Sequence, residues 1–436
     1  MPSISFRAAV AAACLSLLAA CTQSPARPTP SPAPQPAGSA PCIPQSPPAE
    51  AVVMISIDAF RADYLDLGVT PNLSRIAAEG TRARWMTPSY PALTFPNHYT
   101  LVTGLRPDRQ AIPHNTMPDA GTGGYGAAPR NAVADGRWWG GEPIWVTAEK
   151  NGVRSASWAW PGSAASIGGV RPNRWKGFDD TVSPTQRIDD VIDWLDAPAN
   201  VRPKLITVYL EQLDRAGHDH GPDSPQVRRT LGEIDSAIGH LYDGLAQRRL
   251  LDRINLIIVS DHGMATVGPG RVIAVEDMVP VEEATVVSTG QSIGIAPKPG
   301  HETAAAKRLL GRHAHYECWR REQLPERWQY GHHPRVPAIV CQMDEGWDAL
   351  PRTDVTRRSP RATRGSHGYD PALPSMRAMF IARGPAFKAG TQLPAIDNVD
   401  VYPLLAHLLG LEPADNDGDI APLLPALRDG RDGKEH

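Results

Sequence analysis

Neither sign of charge dominates this chain. Its 436 residues carry 44 Lys and Arg against 47 Asp and Glu, a formal net charge of −3. That balance gives no sign of a general nucleic-acid-binding surface, and an anionic substrate must be drawn in by local charge. Long apolar runs are also missing where a membrane span would be sought. The run from Ala8 to Ala20 is shorter than the ~20 residues a spanning helix needs. Cysteine is scarce and odd in number, five in all, so pairing cannot be read from the count. There is no internal repeat. What remains is a chain that is 41% hydrophobic and long enough to bury a full core.

The N-terminus reads as a processing signal. Arg7 precedes the apolar run, and Leu18-Ala19-Ala20-Cys21 resembles a bacterial lipobox. Residues 1–20 would be the lipoprotein signal peptide, and Cys21 would carry the lipid that attaches the chain to a membrane. A plain secretory signal with an incidental cysteine is the alternative. Thr22 follows, with no aspartate to hold the protein at the inner membrane. The expected location is therefore the bacterial envelope, on the periplasmic side, as an outer-membrane lipoprotein. Residues 21–49 are rich in Pro, Ala and Ser and read as an extended tether. An oxidising compartment permits a Cys318–Cys341 disulfide, with Cys42 left unpaired.

Residues 50–425 read as one catalytic domain of α/β class, a mostly parallel central sheet flanked by helices. Apolar runs at 51–57, 204–210, 255–260 and 378–382 have the character of strands buried on both faces. Pro225 to Leu250, Val399 to Leu411 and Asn97 to Val102 are helix candidates. The alternation breaks between about 265 and 364, which reads as a small inserted subdomain with a helix near Glu302 to Leu310. In such sheets ligands bind beyond the carboxyl ends of the strands. Asp58, Asp214 and Asp261 all fall there.

These aspartates have histidine company. Asp214 and His218 are four apart, one helical turn. Asp261 and His262 are adjacent, and His367 sits among glycines that let the backbone bend. A set of carboxylates and imidazoles without thiolate suits Zn²⁺, with Mn²⁺ or Fe²⁺ as alternatives. Thr94, next to a helix start, lies where positive potential favours an alkoxide, although an N-cap role is the ordinary one for such a threonine. The arginines at 357, 358, 361 and 364 read as a solvated loop rather than a polyphosphate guide.

Six ordered motifs carry a resemblance to a known family: Thr94-Phe95-Pro96-Asn97-His98, Trp138-Trp139-Gly140-Gly141-Glu142-Pro143-Ile144-Trp145, Asp214-x-x-Gly217-His218-x-x-Gly221-Pro222, Ser260-Asp261-His262-Gly263-Met264, Gly365-Ser366-His367-Gly368-Tyr369 and Asn398-Val399-Asp400-Val401-Tyr402-Pro403. From about residue 50 to 420 the chain resembles the nucleotide pyrophosphatase/phosphodiesterase family of the alkaline phosphatase superfamily. It looks like a minimal bacterial form. The resemblance implies two Zn²⁺, one held by Asp58, Thr94, Asp261 and His262, the other by Asp214, His218 and His367. It implies Thr94 as nucleophile and a phosphothreonine intermediate on the way from nucleotide diesters and anhydrides to nucleoside monophosphates. Asn115 would donate to a phosphate oxygen, although His-Gly usually precedes that asparagine and this chain reads Pro113-His114; His114 would be the less favoured alternative donor. Phe95 and Tyr209 would line the slot for the base. Partners are thus a small phosphodiester substrate and the membrane, with no stable nucleic-acid complex. The alternatives are a lysophospholipid or glycerophosphocholine diesterase and a non-catalytic binding lipoprotein. A sulfatase is excluded, because the nucleophile motif lacks both its Cys or Ser and its arginine.

Overall fold

We describe a computed structural model of the chain over residues 46–47, 49–119, 123–125, 130–358 and 362–429. The segment read as a signal peptide, Cys21, and the segment read as a tether, up to residue 45 and at residue 48, lie outside the described residues. Among the described residues no helix is long and apolar enough to cross a membrane.

One eight-stranded sheet organises the core. Its strands are β1 (Ala51–Ile57), β2 (Thr81–Ala83), β3 (Ser155–Trp158), β4 (Arg174–Lys176), β5 (Leu205–Leu210), β6 (Ile254–Val259), β7 (Phe380–Arg383) and β8 (Thr391–Leu393). They lie in the order β8-β2-β7-β6-β1-β5-β3-β4. β1 is central, with β5 and β6 parallel on either side. All seven of its residues are buried. Alternation divides them between two layers. Val53, Ile55 and Ile57 pack with Leu73 and Ile76 of helix α1 (Pro71–Glu79), Ile188 and Val191 of α3 (Pro184–Asp196) and Leu231 and Ile238 of α5 (Pro225–Gln247). Val52 and Met54 pack with Tyr99 and Leu101 of α2 (Thr94–Thr103) and Val401 and Leu404 of α6 (Val401–Leu409). Two apolar layers explain why β1 reads as an unbroken hydrophobic run. Helix α4 (Gln212–His220) follows β5 directly.

The sheet is α/β and mixed. β1/β5, β1/β6, β3/β5, β3/β4 and β2/β8 are parallel pairs. β7 departs from the pattern read in the sequence at 378–382: it runs antiparallel to both β6 and β2. The reason lies in the connection. After β6 the chain leaves the sheet's carboxyl edge and returns to that same edge, so the next strand has to run back down. The outgoing residues Ala265–Val267 pair antiparallel with the returning residues Arg364–Ser366. Between them is a five-stranded antiparallel sheet, in the order 284–288, 292–297, 339–343, 316–320, 311–312. It has its own apolar cluster, including Ile293, Ile295, Ile339 and Leu309. Cys318 and Cys341 face each other across neighbouring strands of this sheet and form a disulfide.

Candidate active site

The register of the central strands sets the site. Ile57 pairs with Leu210, and Ser56 pairs with Val259. The residues that follow therefore emerge side by side at one edge: Asp58 after β1, Asp261 and His262 after β6, and Asp214 in the first turn of α4. Asp58, Asp261 and His262 are fully buried. Ala59, directly after Asp58, has a φ of 60°, an uncommon conformation outside glycine. It turns the Ala59 N–H onto Asp261 Oδ1 at 3.2 Å.

Thr94 closes the group from the other layer. α2 begins at Thr94, not at Asn97, with Leu93 as its N-cap. Thr94 thus occupies the first helical turn and leaves the capping position to Leu93. Its hydroxyl lies 3.3 Å from His262 Nε2. His262 Nε2 is in turn 2.8 Å from Asp261 Oδ2 and 3.6 Å from Asp58 Oδ1. His367 arrives from the returning strand of the insertion and stacks on His262, centroids 3.7 Å apart. Gly368, next to it, has a φ of 102°, and a side chain there would strike Leu93. Asp214 Oδ1 is 3.4 Å from both His218 Nε2 and His367 Nε2. Gly217 and Gly365 let α4 lie close against the returning strand; a Cβ on Gly365 would meet the Gly217 carbonyl at 2.5 Å. Asp58, Thr94, Asp214, His218, Asp261, His262 and His367 are therefore brought together.

The hydrogen-bonding pattern points to a cation. Asp58 Oδ1, Asp214 Oδ1 and Asp261 Oδ2 are buried and accept no hydrogen bond. An unsatisfied buried acceptor costs about 1–3 kcal/mol, more when charged, so three in neighbouring groups call for positive charge beside them. The imidazoles agree. Nδ1 of His218, His262 and His367 faces the backbone carbonyls of Gly365, Gly263 and Ala92 at 3.1, 2.9 and 3.0 Å. A carbonyl only accepts, so each Nδ1 bears the proton and each Nε2 presents a lone pair to the site. The Nε2 atoms of His218 and His367 are 3.1 Å apart, an approach that two lone pairs tolerate only with a cation or proton between them. Asp214, His218 and His367 form one group of donors close enough together to share an ion, and Asp58, Asp261 and His98 form another.

His98 is the residue that sequence reasoning quoted without giving it a role. Its Nδ1 is 2.9 Å from the Thr94 carbonyl and 3.2 Å from Asp261 Oδ2, and its Nε2 is 2.8 Å from Ser56 Oγ. With the Nδ1 proton aimed at Thr94 O, His98 braces Thr94 and Asp261 from below, and His262 is the imidazole with a free lone pair. The only available hint was its place four residues after Thr94, on the same helical face.

Without a cation the charges are in conflict. Burial, and then the carboxylates of Asp261 and Asp214, push the Asp58 carboxyl well above the ordinary range. Burial opposes the charge on Asp261 as well, but the rings of His262 and His98 outweigh it and hold that carboxyl well below. Burial and the neighbouring rings of His262 and His218 keep His367 neutral.

A cavity of about 490 Å³ opens beside Thr94, lined by Phe95, Asn115, Trp160, Phe178 and Tyr209 among others. Asn115 Oδ1 accepts from the Phe95 N–H at 2.9 Å, which fixes the amide orientation and leaves its NH₂ for the cavity. His114 is not a substitute donor: its Nε2 is 3.1 Å from Ser292 O and its Nδ1 accepts from Thr116 N. Tyr209 lines the cavity, but its hydroxyl is committed to Asp58 Oδ2 at 2.6 Å. Phe178, absent from the sequence reading, is 45% exposed, with its ring centroid 6.3 Å from that of Tyr209. The arginine segment departs from the solvated loop expected at two positions, where Arg358 and Arg364 pair with the buried Asp348; Arg357 is exposed as expected, and Arg361 lies outside the described residues.

Comparison with known proteins agrees with this geometry. The sequence profile of type I phosphodiesterase / nucleotide pyrophosphatase matches residues 52–370. An uncharacterised pyrophosphatase/phosphodiesterase of Schizosaccharomyces pombe is 35% identical over 396 residues, 88% of this chain and 82% of that one. Naja atra venom phosphodiesterase is 33% identical over 86% of this chain, and rat ectonucleotide pyrophosphatase/phosphodiesterase family member 3 is 34% identical over 86%. This chain spans 46% and 44% of the length of those two relatives. Among solved structures, murine ectonucleotide pyrophosphatase/phosphodiesterase 5, an inactive threonine-to-alanine form in complex with AMP, superimposes with a TM-score of 0.81 at 33% identity, covering 87% of this chain and all of that one. The chain belongs to the type I phosphodiesterase / nucleotide pyrophosphatase family of the alkaline phosphatase superfamily.

Proposed function

We propose that the protein hydrolyses phosphodiester and phosphoanhydride bonds of nucleotides to nucleoside monophosphates, with Thr94 as nucleophile. The observation that carries this is the set of three carboxylate oxygens without a hydrogen-bond donor and three Nε2 lone pairs, joined through His262 to the Thr94 hydroxyl. Asp58, Asp261, His262 and Thr94 fit one divalent cation, and Asp214, His218 and His367 fit a second. Zn²⁺ is the natural choice for such ligands, with Mn²⁺ or Fe²⁺ as alternatives. Two bound divalent ions would supply positive charge that lowers the pKa of the nucleophile and stabilises the leaving oxygen.

The residues of the chain do the rest. Thr94 Oγ gives its proton to solvent water and bonds to phosphorus as the bond to the leaving oxygen breaks, its electron pair going to that oxygen. Water then cleaves the phosphothreonine ester at phosphorus, and Thr94 takes a proton back. The start of α2 offers its positive end to the developing charge. The Asn115 NH₂ donates to a non-bridging oxygen. Phe95 and Phe178 flank the base, where stacking is worth about 1–3 kcal/mol, and Tyr209 orients Asp58. The inactive threonine-to-alanine relative with bound AMP supports both the nucleophile and the nucleotide.

We also propose that this domain works in the bacterial envelope, tethered through lipidated Cys21. The Cys318–Cys341 disulfide favours an oxidising compartment. The function is tested by incubating purified protein with nucleoside triphosphates. Monophosphate plus pyrophosphate is the expected product pair, and release of inorganic phosphate alone would refute the reading.

A further inference from the structure

Behind the cavity lies a buried ion pair that none of the proposed chemistry uses. Arg187 is wholly inaccessible. Its guanidinium pairs with both oxygens of Glu211, Nη1 to Oε2 at 2.5 Å and Nη2 to Oε1 at 2.9 Å. The same two nitrogens donate to backbone carbonyls on separate segments, Nη1 to Tyr209 O at 2.8 Å and Nη2 to Asp179 O at 2.9 Å. The face of Trp158 covers it, 4.4 Å from ring centre to guanidinium carbon. Arg187 sits in the first turn of α3, whose start is fixed by a capping box of Ser183 and Gln186.

We propose that Arg187 is the positioning residue for nucleotide specificity: one planar fork that fixes the Phe178 lip of the cavity to the end of β5. Residues 177–181 leave the edge strand β4 and are exposed. An exposed aromatic on such a segment would spend part of its binding energy on being ordered. The Asp179 carbonyl, next to Phe178, is tied by Arg187 to the strand end that carries Tyr209, so the Phe178 ring is held in place before a base arrives. Only arginine offers several donors in a rigid plane to a carboxylate and two carbonyls; lysine is a point donor and cannot span them. Arg187 touches the lip and β5 directly. It meets the proposed phosphoryl machinery at one remove, through Tyr209, whose hydroxyl holds Asp58, and through Glu211, the N-cap of the helix that carries Asp214. Comparing esters with and without a base separates an effect on base binding from one on phosphoryl chemistry.

The inference rests on the base-slot reading above, and the test separates the two. Rates are compared on p-nitrophenyl thymidine monophosphate and on methyl p-nitrophenyl phosphate, which shares the leaving group but has no base. In Arg187→Lys the ratio of kcat/KM for the nucleoside ester over the methyl ester should fall about tenfold, the size of one lost base–aromatic stack. The loss should lie in KM for the nucleoside ester, with kcat nearly unmoved. An unchanged ratio, or equal losses on both esters, overturns the clamp. If Arg187→Lys does not fold, Glu211→Gln is read by the same ratio and decides in the same way. A wild-type protein that turns over both esters but does not prefer the nucleoside ester would overturn the base-slot reading itself.

Discussion

Asp58, Asp261 and His262 hang from the ends of two hydrogen-bonded parallel strands, whereas Asp214, His218 and His367 depend on helix α4 and on the strand by which the insertion returns. The first three side chains are buried to within 1%. In the second group the His218 side chain is 39% exposed and Asp214 19%. Sheet register alone positions the first group. The second is held from the insertion: Gln291 Nε2 donates to Ser366 Oγ and to Asp348 Oδ1, both at 2.5 Å, and Asp348 pairs with Arg358 and Arg364. One half of the site is thus set by sheet register, and the other by α4 and by contacts with the insertion, where His367 itself is 5% exposed.

Removing the hydroxyl between the two halves should have the largest effect. Thr94→Ala is expected to lower kcat by at least about 1,000-fold while metal analysis stays near normal. Retained turnover with full metal would refute the nucleophile. The asymmetry is sharpened by Asp348→Asn, which touches no proposed ligand. It should weaken binding of one cation about 10- to 100-fold, as read by titration against a chelator, and leave the other unmoved. Equal weakening of both would erase the distinction between the halves.

The core half can be tested by stability. Burial and neighbouring carboxylates raise the folded Asp58 carboxyl above its unfolded value, so without metal its contribution to stability is fully present at low pH and is lost as pH rises. Asp58→Asn removes that penalty. The melting temperature of the chelated protein at neutral pH should rise by a few degrees, ~3 °C. A fall would show that Asp58 is stabilised without a cation. A separate effect concerns the joint between core and insertion. His114 bonds Ser292 of the insertion, and burial lowers its pKa to about 4. Its folded value lies below its unfolded one, so its contribution is present above about pH 6.5 and is lost as pH falls toward 4. That loss is at most about 3 kcal/mol at 1.36 kcal/mol per pKa unit. His114→Gln should flatten the denaturation midpoint between pH 6.5 and 4, and an unchanged slope would contradict the assignment.

Much of the fold was legible because burial on both faces leaves a plain trace, as in Ala51–Ile57 and Ile254–Val259. The reversed direction of Phe380–Arg383 was not, since an apolar run carries no sign of its partner's direction. The aspartates and histidines of the site were legible from their places after strands and within motifs. The Tyr209 hydroxyl on Asp58 was hidden, because it exists only through the pairing of β1 with β5. Phe178 was hidden too, in a segment without periodicity, and Arg187 looked like any arginine in the first turn of a helix.

The central claim is a two-cation cradle around one hydroxyl. Anomalous diffraction from crystals of the zinc-loaded protein tests it directly. The account predicts two peaks, one about 2.0–2.2 Å from oxygens of Asp58, Asp261 and Thr94 and from His262 Nε2, the other at that distance from Asp214, His218 and His367. No peak between these residues, or a single ion that leaves the Thr94 hydroxyl without contact, would contradict it.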